Sequence, residues 1–307
     1  MTRTLPVSRH RTPRASRWPL SRILSILIAT AGVSALLYPT AATWFSDRTH
    51  ATEVSGYADS VESVRPAERE RLLDAAREFN SALPDGPLRD PFTLTGEGQT
   101  SAIGSGADAY EDILGLDSGG VMGHLDIPSI DVHLPVFHDT DADTLAKGVG
   151  HLFGTAFPVG GDSTHSVLTA HSGFVAATLF DHLKDMNVGD EFSVTVLDET
   201  IYYRVDQIRK VLPSETDELR SVAGKDYLTL LTCTPTGANT HRLLVRGERI
   251  DAPATDDAAR RALPSMSTDP GFPWWSAGIL GTFAGSVLVT RPRSESTWRK
   301  RTVRHKP

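Results

Sequence analysis

Two long uncharged runs bracket a chain whose middle alternates apolar and polar positions in short bursts. Residues 23–45, with "ILSILIATAGVSALLY" at their head, and residues 271–290 carry no charged side chain. A bilayer core of roughly 30 Å takes about 20 helical residues, so each run predicts a membrane-spanning helix. Trp274 and Trp275 lie near one edge of the second run, where amphipathic rings favour the headgroup boundary. For the first run the alternative is a cleaved signal peptide, since "YPTAATW" supplies small residues near its end.

Inside the first run, "DRTHATEVSGYADSV" reads as a polar stalk and "RPAERERLLDAAREFNSAL" as a helix. Pro66 suits a first helical position, and Leu72, Ala76, Phe79 and Leu83 recur at helical spacing. "PDGPLRDPF" then forces an irregular loop. From 120 to 250 the pattern changes to short, β-branched strands broken by turn residues. Strands are expected near Met122–Ile127, Val132–Phe137, Ser166–Ala170, Phe192–Leu197, Ile201–Val211, Tyr227–Thr232 and Arg242–Ile250. Short helices fit "TDADTLAKG" and "AATLFDHL". A mainly β domain of this kind favours a closed or nearly closed barrel, which leaves no exposed strand edges.

The predicted organisation is a cytoplasmic tail at 1–22, a span at 23–45, a stalk, helix and loop at 46–119, and a β domain at 120–250. A linker at 251–270, a second span at 271–290 and a tail at 291–307 complete it. Charge adds the orientation. Of the 31 basic residues 13 lie in the two tails, beside one of the 38 acids, so the positive-inside rule puts both tails in the cytoplasm and the β domain outside. The remaining middle is strongly acidic, which argues against a nucleic-acid ligand.

The chain has one cysteine, Cys233, so no intramolecular disulfide can form and an extracytoplasmic thiol needs a reason. It ends the strand "YLTLLTC", and after the loop "TPTGANTH" the chain returns as "RLLVRGERI". Symmetrical closure of that hairpin sets Cys233 opposite Arg242, with Cβ atoms about 5 Å apart. A fixed cation there favours the thiolate, the nucleophilic form, and its donors can hold an oxyanion. Arginine does not give up its proton, so a base must come from elsewhere. His171, closing the strand of "HSVLTAHSG", is the first candidate, with His165 and His241 as rivals. A small buried core cysteine is the plainer reading of Cys233 on spacing alone. Potential ligands do not cluster at metal spacings, and no organic cofactor is indicated.

"TLLTC", "NTHRLLVRGER" and "VLTAHSG" together resemble the sortases, membrane-tethered cysteine transpeptidases of Gram-positive bacteria. From about Val121 to Ile250 the chain, including "GVGHLFGT" and "PVGG", is similar to class C sortases, the pilin polymerases. The resemblance implies an eight-stranded sortase-type β-barrel with short helices, an N-terminal helix, a lid loop and two flanking membrane helices. It makes Cys233 the nucleophile, His171 the general acid/base and Arg242 the stabiliser of the substrate carbonyl or oxyanion. "DPF" resembles the class C lid, with Asp90 and Phe92 lying in the groove. Thr236 and Ser172 stand where the family more usually has an aromatic and a basic residue.

The partners implied are pilin subunits or surface proteins with an LPxTG-like sorting signal, and the amine of a pilin lysine as acceptor. A cell-wall-anchoring sortase and a non-catalytic tethered binding module are the alternatives.

Overall fold

The computed structural model describes residues 19–83, 88, 90–92, 107–116, 120–252 and 270–291. The tails, most of the 251–270 linker and much of the loop after the helix lie outside the described residues. Among the described residues five α-helices, α1 (Leu20–Ser63), α2 (Pro66–Ala82), α3 (Ala107–Asp112), α4 (Ala142–Lys147) and α5 (Trp274–Thr290), accompany eight strands. These are β1 (Val121–Ile127), β2 (Val132–His138), β3 (Val149–His151), β4 (Thr164–Thr169), β5 (Glu191–Val196), β6 (Glu199–Val211), β7 (Asp226–Thr234) and β8 (His241–Ile250).

The chain divides into two units, one holding residues up to Tyr38 with those from Pro273 on, the other Pro39–Phe272. In the first, the start of α1 runs beside α5: Arg22 Nη1 donates to the Thr290 carbonyl at 3.0 Å, and Leu37 packs next to Gly278. Leu20, Leu27, Ile28, Leu36, Leu280 and Val289 are exposed apolar side chains. Among the described residues α1 is the one helix long and apolar enough to cross a bilayer; α5, at 17 residues, falls just short by that measure.

In the second unit the strands close into a barrel in the order β1-β2-β3-β4-β7-β8-β6-β5. β2/β3 and β4/β7 are parallel pairs, and the other neighbours are antiparallel. Alternation along each strand divides the side chains between two faces. Leu168, Leu228, Leu230, Leu243 and Val245 enter the main core with Phe192 and Val194, while Val167, Leu231 and Leu244 join a smaller cluster on the outer face.

Packing departs from the sequence pattern in three places. Residues 47–61, expected as a polar stalk, continue α1, because Val54, Tyr57 and Val61 recur at helical spacing and are buried. The Tyr57 hydroxyl donates to the Met122 carbonyl at 2.8 Å and accepts from Leu197 N–H at 2.7 Å, so it stitches the helix across the barrel wall. Residues 176–183, expected as a short helix, form turns that bury Leu179 and Phe180, followed by one 3-10 turn at Leu183–Asp185. β3 is a strand that the hydrophobic pattern does not reveal, being three residues long. α2 spans the expected helix and begins at Pro66, with Leu73 and Ala76 buried and Leu72 and Phe79 packed at the core's edge.

Candidate active site

The register of three adjacent strands builds the site. Cys233 in β7 pairs directly with Arg242 in β8, and His171 follows β4, whose Thr169 pairs with Leu231 two residues before the cysteine. Odd-numbered residues of β4 and β7 and even-numbered residues of β8 share the outer face. Cys233 and Arg242 therefore stand at one end of a row that continues through Leu231 and Leu244 and then Val167, Thr229 and Arg246. Ser172, next to His171, donates its hydroxyl to the Cys233 carbonyl at 2.7 Å and so joins the end of β7 to the β4–β5 loop. Gly173 is required beside it: its backbone is left-handed, with φ at 76°, and a Cβ there would collide with Thr236 of the β7–β8 loop.

The segment around Asp90 covers this end of the row. Asp90 takes both forward donors of Arg242, Nε to Oδ1 at 2.7 Å and Nη2 to Oδ2 at 2.6 Å. The two form a bidentate charge-assisted pair with both side chains buried. Nη1 of Arg242 is held by the Asn239 and His241 carbonyls. The Phe92 ring lies 5.5 Å from the His171 ring and 5.2 Å from the Arg242 guanidinium carbon. It thus lies against both side chains. Leu88 and Phe92 both pack on the outer cluster of Leu152, Val167, Val211, Leu219, Leu231 and Leu244. A cavity of about 620 Å³ shares Leu88 and Leu219 with that cluster and opens towards Thr155 and Arg220, away from the cysteine.

Burial sets the electrostatics. Cys233 is 5% exposed, and desolvation pushes its thiol up; Arg242 opposes this and the Asp90 carboxylate reinforces it. Burial also lowers the His171 imidazole. Both shifts favour the neutral thiol–imidazole pair with Asp90 in place. Among the described residues the His171 ring nitrogens have no hydrogen-bond partner, and the ring is stacked on Phe174 at 5.6 Å. His165 is differently placed, locked by two hydrogen bonds at the other end of the row. His241 is exposed and bonds its neighbour Thr240. Leu88 and Leu219 carry no signal in the sequence, because the register and loops alone bring them here, and Ser172 is marked there only as a departure from the family's more usual basic residue.

Residues 125–250 match the family model described as the sortase domain. A solved sortase C-1 from Actinomyces oris is 45% identical with a TM-score of 0.56, the match covering 61% of this chain and all of that one. The chain belongs to the sortase family. A second solved relative, sortase C from Streptococcus pneumoniae, is 39% identical with a TM-score of 0.57, over 65% of this sortase and 98% of the other. Sortase D of Bacillus subtilis is 28% identical over 137 residues, 44% of this sortase and 66% of that protein. The match spans about half to two thirds of the length of the curated relatives. The barrel order and the cysteine strand are thus read in a sortase with class C enzymes among its solved relatives.

Proposed function

We propose that this chain is a membrane-anchored cysteine transpeptidase that cleaves an LPxTG-like sorting signal between Thr and Gly and joins the acyl part to a pilin lysine. The observation that carries the reading is the placement of Cys233, Arg242 and His171 at the end of one apolar row of side chains, with Leu88 and Phe92 packed over it; we read that row as the floor of a substrate groove. Cys233 gives its thiol proton to His171 as Sγ attacks the threonine carbonyl carbon, and the oxygen, now negative, is received by Arg242 donors. As the C–N bond breaks, His171 gives a proton to the departing glycine amine, leaving a thioester. The lysine amine then attacks the thioester carbon, His171 takes its proton, and an isopeptide bond forms as the sulfur leaves.

Asp90 and Phe92 act as a lid. With both forward donors of Arg242 engaged by Asp90, the oxyanion has no receptor until the segment moves. The groove also suits the signal. Extended peptide advances about 3.3 Å per residue, so an apolar residue three positions before the cleaved threonine reaches about 10 Å from Cys233, beside Leu231, Leu244 and Val167.

The pilin reading draws support from the S. pneumoniae sortase C, whose structure is described as informing pilin substrate specificity. Curated relatives named sortase A favour the other acceptor, a cell-wall amine. Incubating the full-length protein with a sorting-signal substrate and equal amounts of pilin and cell-wall amines decides between them: an isopeptide to pilin lysine is expected, and products with the wall amine alone would overturn the pilin assignment.

The two-span topology belongs to the same proposal. α1 and α5 run together with exposed apolar side chains. At 17 residues, α5 is short for a span, and modest bilayer thinning accommodates the shortfall. Reporters fused before Leu20 and after Arg291 are expected to be cytoplasmic. An extracytoplasmic C-terminal reporter would remove the second span.

A further inference from the structure

At the far end of the same row lies a histidine that chemistry at Cys233 does not use. His165 Nδ1 faces the Arg220 carbonyl at 2.9 Å; a carbonyl only accepts, so Nδ1 carries the proton and donates. Nε2 is then left with a lone pair and accepts the Thr229 hydroxyl at 2.7 Å. The ring is 3% exposed and its edge meets Tyr227, at 5.7 Å between centroids. Tyr227 in turn lies under Arg246, whose guanidinium carbon is 4.1 Å from the ring and whose donors are engaged by Asp206. Burial lowers His165 to about 4, Arg246 pushes the same way, and the Arg220 carbonyl and Asp206 oppose. The imidazole therefore stays neutral, with both nitrogens occupied, across the physiological range.

What His165 holds is a loop. Residues 212–225 join β6 to β7 and carry Leu219, which is 3% exposed and packs in the groove cluster with Leu231, Leu244 and Val167. The bond from His165 takes the main chain at the very next residue, Arg220. At its far end the loop is fastened by Gly224 N–H to the Ser163 hydroxyl and by Thr164 N–H to the Lys225 carbonyl. Glu218 is tied to Gln207 and Arg209 of β6. The His165 bond joins the stretch beside Leu219 to the strand that forms the groove floor.

We infer that His165 is a positioning residue for substrate selection: by pinning the β6–β7 loop it keeps Leu219 against the groove, and so sets the preference for an apolar residue upstream of the cleaved bond. This rests on the sorting-signal reading above. The role is separate from catalysis because His165 neighbours Tyr227 in the register, six residues along the strand before Cys233. At the rise of an extended strand that is a separation of about 20 Å.

The test uses the full-length chain with the lid opened by Asp90→Ala and Phe92→Ala, and two fluorogenic peptides, Leu-Pro-Glu-Thr-Gly and Ala-Pro-Glu-Thr-Gly. The opened parent is expected to prefer the leucine peptide in kcat/KM. His165→Phe, which keeps an aromatic ring and removes the donor, should lower that preference by about tenfold, on the scale of one lost hydrogen bond. The loss should come through the KM of the leucine peptide, with kcat changed by no more than about threefold. His165→Asn, whose amide N–H can stand in for Nδ1–H, should recover most of the preference. If His165→Phe fails to fold, Leu219→Ala must lower the same ratio. An unchanged ratio in a folded His165→Phe or in Leu219→Ala, or an equal loss on both peptides, overturns the inference alone. A parent that cleaves neither peptide overturns the sorting-signal reading and this inference with it.

Discussion

The outer face of β4, β7 and β8 carries a similar set of parts at both ends. At one end His171, Arg242, Asp90 and Phe92 surround Cys233; at the other His165, Arg246, Asp206 and Tyr227 surround Thr229. In each, an arginine gives Nε and Nη2 to one carboxylate and lies over an aromatic ring. The differences lie in what remains unengaged. Both nitrogens of His165 are spent, and Asp206 belongs to a strand of the barrel. The His171 nitrogens have no partner among the described residues, and Asp90 belongs to a loop outside the barrel. Residue type alone does not separate a structural cluster from a reactive one; unspent hydrogen-bonding capacity and a removable partner do.

Exchanging the histidines should break the symmetry most sharply. His171→Ala is expected to lower kcat by about 10² to 10⁴, the range for losing a positioned acid/base, while His165→Phe leaves kcat within about threefold. Steady-state kinetics on one signal peptide measures both. Comparable kcat losses would mean that the two ends are not functionally distinct.

The arginines come next. Arg242→Ala removes the proposed oxyanion donor and should cost about 10² to 10³ in kcat/KM. Arg246→Ala breaks a partly exposed pair, worth about 1 kcal/mol of stability or less, and should show mainly as a small fall in Tm. A large kinetic loss from Arg246→Ala with Arg242→Ala nearly silent would reverse the assignment.

How much of this contrast was legible in the sequence differs between its parts. The pairing of Cys233 with Arg242 follows from strand alternation and hairpin length, both local properties. The buried face of residues 47–61 is masked by polar neighbours, since Val54, Tyr57 and Val61 alone carry the signal. β3 is too short for any alternation to register, and its place comes from pairing with β2 and β4. His165 looked like a rival base because its engagement by Arg220 and Thr229 depends on a loop 55 residues away and a neighbouring strand. Residue numbers show a histidine; the fold shows whether its nitrogens are free.

The smallest effect sharpens the account of Asp90. Burial raises the Cys233 thiol most and Arg242 opposes it; the Asp90 carboxylate, which engages that arginine, adds to the rise. Asp90→Ala with Phe92→Ala should therefore move the midpoint of the pH–alkylation curve downward, because the thiolate becomes easier to form. The rate near neutrality should rise by roughly tenfold as the thiolate fraction grows. Tm should shift by only a few degrees, since the barrel core is untouched. Superimposable alkylation curves for wild type and double variant would show that the segment neither screens nor tunes the thiol.

The central claim, that Cys233 is the nucleophile under a movable cover, is tested most directly by intact-protein and peptide mass spectrometry after incubation with an LPxTG substrate. The account predicts an acyl adduct on the peptide containing Cys233, more abundant when Asp90 and Phe92 are alanine, and none in a folded Cys233→Ala protein. An acyl adduct on the Cys233→Ala protein, or none on the opened enzyme while it still cleaves the substrate, would contradict it.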